Sequence, residues 1–219
     1  MNRTFDLIVF DWDGTLMDST AHIAASIQAA CAELGLPVPD RSAASHVIGL
    51  GLEDALRRVS PTLPAERYPD MVDAYRRHYL SGDATIELFE DVVDGLAELQ
   101  QSDLFLAVAT GKSRKGLDRV LAATGLSAVF HATRTADECH SKPHPAMLLE
   151  LTDELGVAPR RTLMVGDTTH DLLMAQNAGT HKVGVSYGAH PADALMECQP
   201  LALFDDFRSF LQWLRPRIG

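Results

Sequence analysis

The sequence predicts an α/β fold, with a Rossmann-like parallel sheet as its core and an all-helical domain inserted into that core. Two observations support this prediction. Short runs of continuously apolar residues alternate with helical patterns over most of the chain, whereas residues 18–86 contain helical patterns and no such run. A chain of 219 residues is also long enough to bury a large core without disulfide bonds or a structural metal.

The predicted strands are short and mainly apolar runs, as expected for strands that are covered on both faces of a sheet. The first of them is residues 7–10. Similar runs follow at 104–109, 162–165 and 182–185, and a weaker one surrounds Val129 and Phe130. Because these runs alternate with helices, we expect a parallel sheet with right-handed crossover connections.

The helices of the core are predicted from apolar residues at helical spacing and from helix stop signals. They cover residues 91–101, 113–124, 144–155 and 168–178. The last of these ends at Gly179, since glycine is favoured just beyond a helix C-terminus. Each of these helices lies between two predicted strands or beside one, as the βαβ pattern requires.

The inserted segment has helical patterns at residues 20–34, 52–59 and 65–80. We therefore divide the chain into a core of residues 1–17 and 87–219 and a helical cap of residues 18–86. The predicted hinges lie near the two ends of that cap.

The composition argues against several classes of protein. The chain has 30 acidic and 19 basic residues, and its net charge of −11 repels nucleic acid and anionic membrane surfaces. No apolar stretch approaches the ~18 residues of a membrane span, and the N-terminal residues lack a signal-peptide core. Three widely spaced cysteines, Cys31, Cys139 and Cys198, indicate reduced thiols. We therefore expect a cytoplasmic protein without a nucleic-acid or membrane partner, either a monomer or a homodimer.

Polar residues follow the predicted strands at the points where the strands end. Asp11 and Asp13 follow the first strand, Thr110 follows the second, and Asp167 follows a later one, with Asp171 one helical turn further on. A single aspartate at a strand end is more often a turn or cap residue. Several would converge at one edge of a parallel sheet, where ligands bind. Because clustered carboxylates repel one another unless a cation is present, the sequence predicts a Mg²⁺ site that receives a phosphate group.

These residues also resemble the four motifs of the haloacid dehalogenase superfamily. The segments that carry the resemblance occur in the family's order, at residues 11–19, 108–112, 141–145 and 165–171. The likeness is to the phosphatases of that superfamily with a small helical cap, of the phosphoglycolate phosphatase type. It implies a Mg²⁺-dependent hydrolase of a small phosphorylated metabolite.

The resemblance implies roles for the acidic residues. Asp11 is expected to be the nucleophile that forms an aspartyl-phosphate, and Asp13 the acid and base for the leaving group and the attacking water. Asp11, Asp167 and the backbone carbonyl of Asp13 are the expected Mg²⁺ ligands. Asp171 is expected to orient Lys142 or a metal-bound water.

The remaining expected site residues contact the substrate. Thr110 and the backbone N–H of Gly111 would donate to phosphate oxygens, and Lys142 would add positive charge. Gly49 and Gly51 would let a cap loop at residues 48–54 approach the ligand closely and select among substrates.

Four alternatives remain open at this point. A phosphosugar mutase of the β-phosphoglucomutase type would carry a cap arginine where Leu52 stands, although Arg57 or Arg58 could substitute for it. A 2-haloacid dehalogenase or a phosphonate hydrolase would not need Asp13. A non-catalytic binding protein would be expected to have lost its nucleophile or its motif lysine.

Three further expectations concern residues outside these roles. Lys112 is predicted to cap the turn after the second strand or to lie near solvent. Tyr75, His78 and Tyr79, at helical spacing, are predicted to form a packed face of the cap. Glu90 and Asp91 stand where relatives usually have Pro-Gly, so the resemblance does not predict the turn at the second hinge.

Overall fold

The computed structural model describes residues 3–218, apart from the side chain of Ala84. Within these residues six strands form one parallel sheet. They are β1 Leu7–Phe10, β2 Phe105–Thr110, β3 Ala132–Thr135, β4 Thr162–Gly166, β5 His181–Val185 and β6 Leu203–Phe204. Their order is β3-β2-β1-β4-β5-β6, which is typical of doubly wound folds. The predicted α/β fold class is confirmed.

The helices form two groups, one in the inserted segment and one in the core. The inserted helices are α1 Thr20–Glu33, α2 Arg41–His46, α3 Leu52–Val59 and α4 Tyr68–Gly82. The helices that follow are α5 Val92–Gln100, α6 Arg114–Thr124, α7 Ala146–Glu154, α8 Thr169–Ala178, α9 Ala192–Glu197 and α10 Phe207–Ile218. Since α1 to α4 all lie between β1 and β2, the helical character predicted for this segment is observed.

The central strand shows why the predicted runs are continuously apolar. Successive side chains of a strand point to opposite faces of the sheet. Ile8 and Phe10 pack on the face covered by α5, α6 and α10, whereas Leu7 and Val9 pack on the face covered by α7 and α8. All four are fully buried, so each position of β1 requires an apolar residue.

The inserted helices have an apolar cluster of their own. It includes Ile27 from α1, Leu56 from α3 and Met71 from α4, each almost completely buried. Ile86, where the insert ends, packs against both this cluster and the cluster of the core. The insert is therefore held together by its own burial, with a small apolar bridge to the core.

The two connections between the insert and the core lie side by side. Met17 and Leu88 form an antiparallel bridge. The backbone N–H of Asp18 donates to the carbonyl of Glu87 at 2.9 Å, and that of Phe89 donates to the carbonyl of Leu16 at 3.0 Å. The chain thus leaves the core and returns to it through one short ribbon.

The turn between Leu88 and α5 contains a backbone conformation that glycine adopts easily, although the residue there is Asp91. Asp91 has φ of 64°, in the left-handed region, directly before α5. Such a conformation costs about 1–2 kcal/mol for most residues, but aspartate and asparagine adopt it more readily than others. Its carboxylate also pairs with the Arg208 guanidinium, with contacts of 2.9 and 3.1 Å.

The structure corrects the prediction at the sheet edges and in the insert. The weak strand expected around Val129 and Phe130 lies instead at Ala132–Thr135, and Val129 is a buried residue of the preceding turn. The short strand β6 and the helices α2, α9 and α10 were not predicted. The helix expected at residues 65–80 begins as a short 3₁₀ turn at Ala65–Arg67 and continues as α4 to Gly82.

Two findings concern the composition. Over residues 3–218, every helix is too short or too polar to cross a lipid bilayer. Cys31, Cys139 and Cys198 are free thiols, as predicted.

Candidate active site

The predicted aspartates meet where the order of the strands reverses. Asp11 follows β1, and Asp167 follows β4, the neighbour of β1 in the sheet. The Asp11 backbone N–H donates to the carbonyl of Val165 at 3.0 Å, which extends the pairing of the two strands up to the first aspartate. Doubly wound sheets bind ligands in the crevice at this position, beyond the carboxyl ends of the strands.

Three carboxylates and one ammonium group form a buried cluster at this edge. Oxygen atoms of Asp11, Asp167 and Asp171 all lie within 4.8 Å of one another. Lys142 Nζ lies 2.8 Å from Asp11 Oδ1 and 2.7 Å from Asp171 Oδ1. All four side chains are buried. The structure therefore brings together four residues that the sequence predicted for the site.

Burial has the largest single effect on the pKa values of this cluster. Removal from water raises the pKa of Asp11 well above its usual value, with Lys142 opposing the shift. Burial also raises the pKa of Asp167 to about 7, and the neighbouring Asp171 adds to the effect. Burial disfavours the charge on Lys142, but Asp11 and Asp171 outweigh it and hold the pKa of Lys142 above its usual value. Asp11 and Asp171 thus share the single positive charge of Lys142.

The donor set fits a divalent cation. Asp11 Oδ2 is buried and has no hydrogen-bond partner within residues 3–218. When ionised, the three carboxylates exceed the one ammonium by two negative charges. Carboxylate oxygens are the ligands that hard divalent cations prefer, and such a cation would remove this excess charge.

Asp167 is held in place by residues that the sequence analysis did not assign to the site. The Thr15 hydroxyl donates to Asp167 Oδ1 at 2.9 Å, and the Ala189 backbone N–H donates to Oδ2 at 2.7 Å. Gly14 has φ of 78°, and a Cβ at that position would overlap the Asp167 carboxylate. Thr15 lies inside the first motif, so its position in the sequence was the available signal. Ala189 offers only a backbone group, which no sequence pattern reveals.

Asp171 has a structural contact as well as its contact with Lys142. Its Oδ2 accepts hydrogen bonds from the Thr168 hydroxyl at 2.6 Å and from the Thr168 backbone N–H at 3.1 Å. This capping box begins α8 and satisfies backbone donors at the helix N-terminus. The start of α8 therefore fixes the carboxylate that faces Lys142.

Asp13 lies away from the carboxylate cluster and faces the inserted helices. Its Oδ1 accepts from the Ser19 hydroxyl at 2.6 Å and lies 3.0 Å from Lys112 Nζ. The expected metal contact of Asp13 concerned its backbone carbonyl and stays a prediction. Ser19 was not predicted, because its partner is identified only when the chain folds back over the first motif.

The prediction for Lys112 was wrong. Its side chain is only 10% exposed and points into the site, where Nζ donates to the Tyr79 hydroxyl at 3.0 Å. Tyr79 packs within the insert as expected, with its ring stacked on Tyr75 at a centroid distance of 5.8 Å. Its hydroxyl nevertheless reaches a residue of the core, which helical spacing cannot predict.

The predicted phosphate-binding residues on β2 lie beside the insert. Thr110 is the buried last residue of β2, and its hydroxyl accepts from the Lys112 backbone N–H at 3.2 Å. Gly111 touches the loop before α3 so closely that a Cβ there would overlap the carbonyl oxygen of Leu50. The strand end and the inserted loop are therefore in direct contact.

The loop before α3 contacts the core at two further motifs. The Gly51 backbone N–H donates to the Ser141 hydroxyl at 2.8 Å. A Cβ at Gly49, where φ is 91°, would lie 3.1 Å from the Thr168 hydroxyl. Gly51 also precedes the first turn of α3. The loop thus begins a helix and covers the carboxyl ends of the strands at the same time.

A further contact between insert and core involves three histidines. The His46 carbonyl, at the end of α2, lies 2.9 Å from His170 Nε2 and 3.1 Å from His190 Nε2. His190 Nδ1 accepts from the Thr169 backbone N–H at 3.1 Å, so its Nε2 carries the proton that the carbonyl accepts. Burial lowers the pKa of His190 to about 4, which is consistent with a neutral ring.

The fold and the buried acid cluster are typical of Rossmann-like hydrolases, and the family comparison agrees. A model of the haloacid dehalogenase-like hydrolase family matches residues 8–185. The chain belongs to this family, as the motifs predicted.

Similar proteins bear phosphatase names. The chain is 40% identical to "Probable phosphatase IndB" of Dickeya dadantii over 92% of this chain and 90% of that protein. It is 32% identical to a phosphoglycolate phosphatase of Haemophilus influenzae over 96% of this chain and 99% of that protein. A crystal structure of a predicted phosphoglycolate phosphatase from Haemophilus somnus superposes with a TM-score of 0.84 at 28% identity, covering 96% of this chain and 98% of that one. The prediction of a hydrolytic enzyme of this family is confirmed.

Proposed function

We propose that this protein is a Mg²⁺-dependent phosphatase that hydrolyses a small phosphomonoester such as phosphoglycolate through an aspartyl-phosphate on Asp11. The observation that carries the proposal is the partnerless Oδ2 of Asp11 within a buried cluster that also contains Asp167 and Lys142. The phosphoglycolate phosphatase names of relatives that match this chain over most of its length support the choice of substrate. The cytoplasmic location and the monomeric or homodimeric state remain predictions.

Asp11 performs the first chemical step in this proposal. Its Oδ1 is fixed by Lys142 at 2.8 Å and by the Trp12 backbone N–H at 2.6 Å. The Asp11 carboxylate attacks the phosphorus atom and forms the aspartyl-phosphate. Thr110 and the backbone N–H of Gly111 hold phosphate oxygens, and the Lys142 charge stabilises the additional negative charge of the transition state.

The carboxylates of Asp11 and Asp167, with the backbone carbonyl of Asp13, would hold the metal. Bound Mg²⁺ supplies positive charge that lets an anionic nucleophile approach an anionic phosphate. Asp171 acts through Lys142, whose ammonium it holds at 2.7 Å. Thr15 and Ala189 keep Asp167 oriented, as their hydrogen bonds to its two oxygens indicate.

Asp13 serves the two proton transfers. It protonates the oxygen of the leaving alcohol as the phosphorus–oxygen bond breaks. It then accepts a proton from the water that attacks the aspartyl-phosphate. Its side chain lies between Ser19, at the start of the insert, and Lys112 of the core.

A mutase function receives less support from the inserted helices. The Arg57 guanidinium lies 4.5 Å from the ring centroid of Tyr68, within the insert. Arg57 and Arg58 also line a cavity beside the motif lysine, Lys142. Leu52, at the position expected for a mutase arginine, is the first residue of α3.

A substrate panel tests the proposed function. The purified protein is incubated with phosphoglycolate, sugar phosphates, nucleoside monophosphates and pyrophosphate in the presence of Mg²⁺, and released phosphate is measured. We expect the highest kcat/KM for phosphoglycolate or a similarly small monoester. Phosphate transfer between sugar positions would indicate the mutase instead, halide release from a 2-haloacid would indicate the dehalogenase, and inactivity on the whole panel would contradict the proposal.

The insert acts as a cap in this proposal, with residues 18–86 closing over the site and the loop before α3 excluding water. Replacing Gly111 with alanine tests this role, because its Cβ would overlap the Leu50 carbonyl and hold the loop away from β2. We expect kcat/KM for phosphate release to fall at least about tenfold, which corresponds to ~1.4 kcal/mol of transition-state stabilisation.

The matched control is Gly116→Ala on α6, where the nearest atom to a new Cβ would be the Ser113 hydroxyl at 3.3 Å. That variant is expected to keep wild-type kinetics. If Gly111→Ala folds with the same unfolding temperature and keeps full activity, closure of the loop on β2 is not required.

A further inference from the structure

The two polar contacts of the Asp13 side chain fall on the same oxygen. The Ser19 hydroxyl donates to Oδ1 at 2.6 Å, and Lys112 Nζ lies 3.0 Å from that atom. Within residues 3–218, no hydrogen bond reaches Oδ2. Unlike Oδ2 of Asp11, Oδ2 of Asp13 is not completely buried. The two oxygens of Asp13 are therefore not equivalent.

Lys112 is fixed by its backbone before its side chain reaches Asp13. Its N–H donates to the Thr110 hydroxyl at 3.2 Å, and its carbonyl accepts from the Ala136 N–H at 3.0 Å. Burial opposes the charge on the ammonium, but Asp13 and Tyr79 outweigh it and hold the pKa of Lys112 above its usual value. The charged side chain of Lys112 thus extends from a backbone position that is fixed at the end of β2.

Tyr79 fixes the other end of the Lys112 side chain from the cap. Because an ammonium group only donates hydrogen bonds, the Tyr79 hydroxyl is the acceptor of the 3.0 Å contact. Nζ also lies 5.0 Å from the centroid of the Tyr79 ring. The His22 ring contacts the Tyr79 carbonyl at 2.7 Å, which ties α4 to α1 at this point. The contact between Tyr79 and Lys112 exists only while the cap lies against the core.

We propose that Lys112 is a positioning residue for Asp13, and that Tyr79 holds it in place from the cap. Together with Ser19, Lys112 occupies Oδ1, so that the proton exchanged in catalysis is carried on Oδ2. In the first half-reaction this proton passes from Oδ2 to the leaving oxygen as the bond between phosphorus and that oxygen breaks. In the second, Oδ2 takes a proton from the attacking water. The inference rests on the proposed phosphatase function.

The proposal has a kinetic signature that a general loss of structure does not have. An alkyl phosphate releases a strongly basic alkoxide and depends on protonation by Asp13, whereas p-nitrophenyl phosphate releases a weakly basic phenolate and depends on it little. The ratio kcat/KM includes steps only up to departure of the leaving group. A misplaced Asp13 therefore lowers kcat/KM for the alkyl substrate selectively.

The experiment compares kcat/KM for phosphoglycolate, as the alkyl substrate, with kcat/KM for p-nitrophenyl phosphate in Lys112→Met and Tyr79→Phe. For Lys112→Met we expect the fall with phosphoglycolate to exceed the fall with p-nitrophenyl phosphate at least about tenfold. For Tyr79→Phe, which removes one oxygen atom and leaves the packing of the ring, we expect a smaller fall in the same direction, about threefold. Asp13→Asn serves as the reference for complete loss of the proton transfer.

Matched controls separate this role from general effects. Lys115→Met removes an exposed lysine on α6. Tyr68→Phe removes a hydroxyl that donates to the Ser60 carbonyl at 2.8 Å inside the cap. Both should keep the wild-type ratio between the two substrates.

Two results would overturn the inference. If Lys112→Met and Tyr79→Phe lower both substrates equally, or neither, while Asp13→Asn discriminates between them, Lys112 does not position Asp13 and the phosphatase function stands. If the wild-type protein releases phosphate from neither substrate nor from the wider panel, the proposed function fails and this inference with it.

Discussion

Replacing Asp11 with asparagine is expected to abolish phosphate release, with a fall of at least about a thousandfold, or ~4 kcal/mol in the activation barrier. The amide cannot take the place of the carboxylate as a nucleophile towards phosphorus. The shape of the side chain is preserved, and Lys142 keeps its 2.7 Å contact with Asp171, so the fold should be retained. The measurement is single-turnover phosphate release together with the unfolding temperature.

The control for this substitution is Asp153→Asn, an exposed position on α7 far from the carboxyl ends of the strands. It should leave turnover unchanged. If Asp11→Asn retains activity within tenfold of wild type in a preparation free of contaminating phosphatase, Asp11 is not the nucleophile and the proposed mechanism is wrong.

Removal of divalent cations is expected to lower turnover at least about 100-fold, and Mg²⁺ to restore it. The reason is the excess of negative charge among Asp11, Asp167 and Asp171, which one lysine does not balance. Mg²⁺ should also raise the unfolding temperature of the metal-free protein, because a ligand at 100 times its Kd stabilises the native state by about 2.7 kcal/mol.

Calorimetric titration with Mg²⁺ gives a measure of binding that does not depend on activity. Asp167→Asn should weaken this binding, whereas Asp153→Asn should not. Turnover that survives thorough chelation would argue against the metal and would favour the dehalogenase alternative.

The central strands could be predicted from the sequence because their burial requires runs of apolar residues. β1, β2 and β4 are covered on both faces, so consecutive apolar residues make up most of each strand. At the edge of the sheet this rule weakens. In β3 the first and last residues, Ala132 and Thr135, are buried, while Thr133 and Arg134 are partly exposed. The strand therefore has no continuous apolar run, which explains why its predicted position was wrong.

The sequence likewise predicted only part of the candidate site. Asp11 and Asp167 follow buried strands, and parallel pairing places such strand ends together. Ser19 and Lys112 were not recognised, because their role depends on how the cap lies on the core. That arrangement results from contacts between residues distant in sequence, such as Tyr79 with Lys112, for which a hydrophobic pattern contains no information.

The ribbon formed by Met17 and Leu88 has a consequence for how this architecture can vary. Since the chain leaves and re-enters the core at adjacent points, the intervening segment imposes no spacing on the sheet. Insertions are tolerated best where both ends lie close together at the surface. The ribbon therefore works as an attachment point at which a module of different length or shape can be exchanged. Such an exchange would alter what surrounds the leaving group, while the carboxylates at the ends of β1 and β4 keep their positions.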